Sequence, residues 1–242
     1  MFAFKKIRRS FIESGELKKY LAYAIGEVIL VTIGILLAVQ INNWDEERKE
    51  RKIEFQILTE VMVNLKASLQ HFHNHSNRNA QIARSFTVTI DNLKQGRPAN
   101  DSTFFHMGKV LTYPHVSLDI TGYDLLKNKG IHIVSNPELR RELTLHYEKH
   151  VKTYSIGTQD VQSDYNGYML DFVRSEFKEC VWRQQAIPYD YELLKENRTF
   201  IGSIQAFYSS YSFFINDTER MIDRTELLIK KLDAHLLNRA FH

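Results

Sequence analysis

The sequence predicts an all-α chain in which a single N-terminal transmembrane helix continues into an elongated antiparallel helical bundle. Three observations carry that expectation. Residues 20–41 form an apolar run with three plainly polar interruptions; Gly and Pro are sparse, at 10 and 4 in 242 residues; and beyond the run apolar residues recur at alternating spacings of three and four. The organisation that follows is a basic cytoplasmic stub (1–19), a transmembrane helix (20–43) and a periplasmic helical-bundle domain (44–242).

Between Tyr20 and Ile41 only Glu27, Thr32 and Gln40 are plainly polar, and a helix needs roughly 20 apolar residues to cross a ~30 Å hydrocarbon core. Before it stand Lys5, Lys6, Arg8, Arg9, Lys18 and Lys19 against Glu13 and Glu16; after it, DEERKERK balances four acids with four bases. That asymmetry places the N-terminus in the cytoplasm and the rest outside it. Cleavage as a signal peptide is the competing reading. Gln40, Asn42, Asn43 and Trp44 do not resemble a small-residue cleavage site, and the run is longer than a signal h-region.

Within the span, Ala22, Gly26, Gly34 and Ala38 recur at four-residue steps with Leu30 interrupting, a small-residue pattern that lets helices approach closely. Glu27 lies about 10 Å inside the span, where an ionised carboxylate is costly. It reads either as an ion-linked or helix-anchoring carboxylate, or as a side chain that snorkels or stays protonated. Gly26, Glu27, Gly34 and Ala38 are therefore the candidate positions for membrane-helix association or function.

The run Tyr23-Ala24-Ile25-Gly26-Glu27, then Ile33-Gly34-Ile35, Ala38 and Gln40-Ile41-Asn42-Asn43-Trp44 resembles the signature of an uncharacterised single-pass membrane family of Bacteroidota, a domain of unknown function. A second patch, Gly122-Tyr123-Asp124-Leu125-Leu126 through Gly130, Ile133, Ser135, Asn136 and Leu139-Arg140, is similar to a segment in that family's exported half. Beyond Tyr147 the likeness is loose, and Asp45 stands where the family more often has Asn. The resemblance implies location and architecture, and no activity.

Removing the stub takes six of 32 Lys+Arg and two of 29 Asp+Glu, leaving 26 against 27. A near-neutral exported domain argues against nucleic acid as a partner. The lone Cys180 has no internal disulfide partner and, read on an aromatic helical face, is expected to be buried.

After the span, DEERKERKIEFQILTEVMVNLKASLQHFH contains no helix breaker and spaces Leu58, Val61, Leu65, Ser68 and Phe72 as a packing stripe, so the helix should continue as a stalk. Asn74 to Asn79 reads as a turn, followed by a weaker helix through Ile82, Phe86, Ile90 and Leu93, closed by KQGRPAND. Asp101 or Ser102 should cap a short helix; Ser117 or Asp119 should cap the next, which stops at Gly130. Ile131 to Val134 reads as extended or a tight connector. Asn136-Pro137-Glu138 is a strong helix start. From it the series Tyr147, Val151, Tyr154, Thr158, Val161, Tyr165, Tyr168, Phe172 predicts one helix from about Pro137 to Arg183, weakened at Gly157 and Gly167. After a turn at QQAIPYDY, the series from Ile201 to Leu236 gives five heptads that should pair with that helix as a hairpin; an intermolecular coiled coil is the alternative.

His71 with His75 and His146 with His150 share i, i+4 spacing and could supply four imidazoles to a metal. If the stalk rises from the membrane and the last helix returns to it, the two pairs should be far apart, so no metal is expected. No GxSxG, Walker, GxGxxG or HExxH motif occurs. No catalytic, cofactor-binding or metal residue is therefore assigned, and the expected role is a non-enzymatic scaffold or accessory subunit in the lipid bilayer, associating through its span with copies of itself or with a membrane-protein partner. The alternatives are a periplasmic small-ligand sensor signalling through a partner, and a subunit of an ion-coupled complex using Glu27.

Overall fold

The computed structural model describes residues 17–240, with side chains over 21–238. The expected cytoplasmic stub lies almost wholly outside the described residues. The chain divides into two compact units, Met1–Ile53 and Glu54–His242. All but one short hairpin of its regular structure is helical.

Helix α1 spans Leu17–Lys94 without a break. The expected turn at Asn74 to Asn79 is corrected: these residues are helical. The stripe Leu58, Val61, Leu65, Phe72 continues in register through His75, Asn79, Ile82, Phe86 and Leu93, all buried. Asn79 Nδ2 donates to Thr218 Oγ1 at 3.3 Å and His75 packs edge-on against Phe214. Tertiary partners therefore satisfy polar groups that, read alone, signal a turn. The helix ends in a Schellman arrangement: Gly96 (φ 62) donates to Leu93 O, and Arg97 N to Asn92 O.

Helix α2 (Asp101–Val110) is capped by Asn100, not by Asp101 or Ser102: the Asn100 side chain accepts from Thr103 N while Thr103 Oγ1 accepts from Asn100 N, a reciprocal box. In α3 (Thr121–Lys129) Asp119 accepts from Thr121 N and Oγ1, and Gly130 (φ 98) stops the helix as expected. A 3₁₀ turn, Ile131–Ile133, forms the connector. Asn136 then accepts from Glu138 N and Leu139 N, with Pro137 in the first turn of α4 (Pro137–Leu145).

The helical run from 137 continues to 176 through a π turn at His146–Val151, α5 (Lys152–Asp164), a second π turn at Tyr165–Met169 that contains Gly167, and α6 (Leu170–Glu176). It does not reach Arg183. Past Phe172 the three-four series meets Ser175 and then Glu179, so a longer helix would turn a carboxylate into the core. The chain instead forms an antiparallel hairpin, β1 (Phe177–Val181) with β2 (Gln185–Pro188), bulged between Phe177 and Glu179. Cys180 therefore sits on a strand and is only half-buried, a second correction. Gly108 lets the hairpin lie against α2: a Cβ there would come within 2.4 Å of the Gln185 backbone.

Helices α7 (Tyr191–Glu196) and α8 (Arg198–Ala240) complete the chain, with Asn197 accepting from Phe200 N. In unit 2, α8 runs antiparallel to both long neighbours. Against α1 it pairs His235 with Glu54, Glu226 with His73, Thr218 with Asn79 and Phe207 with Phe86. Against the 137–176 run it pairs Lys231 with Glu138, Phe214 with Tyr154 and Phe200 with Phe172. The α8 seam residues Ile204, Tyr211, Thr218, Ile222, Thr225 and Leu232 are buried within the chain itself. The aromatic stripe fills this core: Tyr154 stacks on Phe214, meets Phe72 edge-on, and shares a 3.2 Å hydrogen bond with Thr218.

Candidate functional site

The described residues contain one helix long and apolar enough to cross a membrane, with a window of mean hydropathy 2.3 and none of that window buried. Its large side chains stand open, Val28 at 66 % and Leu30 at 73 %. Thr32 Oγ1 donates to Val28 O, so its one hydroxyl is satisfied within the helix. A Cβ added to Gly26 or Gly34 would meet nothing within 4 Å, so packing inside the chain does not require either glycine. At ~100° per residue Glu27 falls between Gly34 and Ala38 in projection, whereas Gly26 lies about 80° from Gly34. Small residues at four-residue steps therefore form an inclined ridge rather than a straight stripe, the geometry of right-handed crossings near −40°. A helix seated on Gly34 and Ala38 would face Glu27. Just after the apolar window, Asn42–Glu46, Asp45–Lys49 and Glu47–Arg51 bonds at i, i+4 support the helix, and Lys49 holds the Asp45 carboxyl below its ordinary range.

In unit 2 the stretch from Gly122 to Arg140 acquires a structural reason. Gly122 N donates to buried Asn64 Oδ1 at 2.7 Å, and Asn64 Nδ2 donates to Asp119 Oδ2 at 2.8 Å. A Cβ on Gly122 would lie 2.7 Å from Val61 N and 3.0 Å from the Glu60 carbonyl carbon, so α3 docks backbone-first on α1. This seats Tyr123 on Tyr147, stacked at 4.3 Å and 11°.

Beside that pair is a groove of about 380 Å³ walled by Ile120, Val151 and Ile156. Tyr123 Oη donates to Glu148 at 3.3 Å, and Glu148 pairs with Lys127 at 2.8 Å and with Lys152. Those two ammonium donors hold the Glu148 carboxyl far below the ordinary range, and burial pushes the Tyr123 phenol up to about 12. The groove's charges are thus mutually neutralised. The Tyr147 hydroxyl is buried with no hydrogen-bond partner among the described residues. The π turn His146–Val151 supplies Tyr147, Glu148 and Val151 to this site, a local irregularity that periodicity does not announce.

Two polar clusters resemble catalytic sets, and their geometry differs from what catalysis needs. Ser135 Oγ (3.0 Å) and His235 Nε2 (3.1 Å) both bond to Glu54 Oε1, so the imidazole does not stand between acid and hydroxyl as a triad requires. Ser135 N also donates to Glu54, which makes the buried carboxylate a tie joining α1, the loop before α4 and α8. Ser85 Oγ lies 3.0 Å from His106 Nδ1 but donates to Gln81 O, so its proton is committed to the backbone.

The histidine pairs are nearer in height than the sequence argument supposed. Tyr154 meets Phe72, and His146 is eight residues, roughly 12 Å, from Tyr154. The heights are set by packing within unit 2, which starts at Glu54. His71 and His75 rings lie 4.6 Å apart, yet no group of three or more His, Cys, Asp or Glu among the described residues could hold a metal ion. No family model, curated protein or solved structure matches the chain.

Proposed function

We propose that this chain is a membrane-anchored periplasmic scaffold or accessory subunit of a bacterial inner membrane, without enzymatic activity, that self-associates through the face carrying Gly26, Glu27, Gly34 and Ala38. The observation that carries this reading is the apolar helix exposed over its whole hydrophobic window, since a contiguous surface of that kind marks contact with lipid or protein. The basic flank before residue 20 sets the N-terminus in the cytoplasm. Membership of the Bacteroidota single-pass family belongs to the same proposal. The test is carbonate extraction of membranes with protease treatment of spheroplasts: the chain stays in the pellet and its C-terminal half is cleaved. Release into the supernatant, or a protected C-terminus, refutes it.

A second reading, a small-ligand sensor working through a partner, draws on the Tyr123–Tyr147 groove and its unpartnered hydroxyl. Tyr147→Phe separates the two. As a plain core residue the phenol gives a variant within about 1 kcal/mol of the parent; as a ligand contact it gives a normally folded protein that no longer signals.

A further inference from the structure

A second concavity of unit 2 lies where α1, the end of α2, the hairpin tip and α8 meet. Three cations from three segments line it: Arg78, Lys109 and Arg183. Its lining contains no carboxylate. Arg78 Nε donates only to Asn74 O, Lys109 Nζ stands 5.1 Å over the Phe105 ring, and Arg183 Nε is buried with no partner. Among the described residues none of the three forms an ion pair with an acid, whereas both lysines of the Tyr123 groove do. Like charges gathered without a counter-ion repel, and a partly enclosed cleft concentrates that field.

The hairpin tip is built to hold this arrangement. Arg183 has φ 62, the one positive-φ residue other than glycine among those described. It occupies the third position of a turn closed by Gln184 N donating to Val181 O, where glycine or asparagine is the unstrained choice. Arg183 N donates to Gly108 O, and Trp182 is pinned edge-on to Tyr113. A guanidinium is thereby kept in a backbone conformation its own residue type disfavours, which is the pattern of strain retained at a working position. Buried Asn79 and Tyr211 form part of the floor. Burial, then His71, with Arg78 and Arg183 behind it, holds the neighbouring His75 neutral, at about 4.

We infer that this cleft binds a tetrahedral oxyanion of the phosphate type, as the free ion or as the terminal group of a phosphate monoester, through Arg78, Lys109 and Arg183. The volume of about 50 Å³ exceeds the roughly 30 Å³ that one water takes up in the liquid, room for a group larger than a single water. Guanidinium forks supply paired donors in the plane such oxygens need, and the ammonium adds a point charge. The open side admits the remainder of an ester.

The test uses the full chain in detergent, titrated calorimetrically with sodium phosphate and with glycerol 3-phosphate against sodium chloride at matched ionic strength. Saturable binding of either phosphate, with a rising melting temperature, is expected; stronger binding of the ester assigns the terminal group, and equal or weaker binding assigns the free ion. Arg78→Gln should weaken binding at least tenfold. Arg183→Gly should do the same while raising the melting temperature without phosphate, because it removes the guanidinium and relieves the backbone together. Lys152→Gln, at the neutralised groove, should bind as the parent does. The inference fails if chloride reproduces the effect, if neither phosphate binds, or if Arg78→Gln and Arg183→Gly bind like the parent.

Discussion

Replacing Gly122 with alanine tests whether α3 docks on α1 through its backbone. The new methyl would sit 2.7 Å from Val61 N, 2.8 Å from Asn64 Oδ1 and 3.0 Å from the Glu60 carbonyl carbon. Two of these are backbone atoms of a long helix, and the third is a side chain already bonded to Asp119 and to Gly122 itself. None can swing aside. Relief therefore requires α3 to back away, which costs about 1–3 kcal/mol in packing and strands Asn64 for a further 1–3 kcal/mol. Alanine's better helix propensity returns at most about 1 kcal/mol, so a net loss of about 1–5 kcal/mol is expected. For a unit of this size that is roughly a 2–20 °C fall in melting temperature, read by circular dichroism on the detergent-solubilised chain. Gly202→Ala is the control, because its Cβ meets nothing within 4 Å; it should gain about 0.5–1 kcal/mol. If the two variants melt together, the backbone docking of α3 is wrong.

Other consequences are equally direct. His75 and His146 are held neutral, each at about 4, first by burial and then by neighbouring cations and histidines. Their unfolded value is about 6.5, so the unfolded chain binds more protons between those limits. Stability should be full above about pH 6.5 and fall as pH drops towards 4, by a few kcal/mol in all; a melting temperature flat from pH 7 to 5 contradicts this, and His75→Gln should shallow the slope. Glu54→Ala removes the acceptor shared by Ser135 and His235 and should cost about 2–4 kcal/mol, with a loss below 1 kcal/mol in urea unfolding showing that the tie is ornamental. Gly34→Leu should weaken self-association in bilayers about tenfold, the equivalent of 1–2 kcal/mol, measured by energy transfer between labelled chains, and leave the bundle's melting temperature unchanged. An unaltered dimer signal removes Gly34 from the interface.

The sequence reveals structure wherever a single chemical rule dominates. The apolar window, the Asn136-Pro137 start, the Gly130 stop and the three-four seam of α8 each follow from local chemistry, and the structure has them where that chemistry puts them. What escapes is what depends on distant partners. Asn79 is a turn residue until Thr218 accepts its hydrogen bond. The hairpin at 177–188 relies on bare backbone at Gly108, some 70 positions earlier. The sequence reading of the unit 2 sites misses both concavities, because Tyr123 meets Tyr147 and Arg78 nears Arg183 only through tertiary packing. The one available signal is the second motif patch, whose Gly122 marks a close approach without saying to what.

The tie between Glu54 and His235 spans 181 residues of chain, and that distance sets an order of events on the ribosome. At about 5–20 residues per second, roughly ten to forty seconds separate the synthesis of Glu54 from that of its imidazole partner. For most of that interval Phe72 and Phe86 have no third wall, because Phe207, Tyr211 and Phe214 have yet to be made. Premature stop codons late in the message should therefore be as damaging as early ones, and the nascent chain should depend on holding chaperones until its last helix arrives.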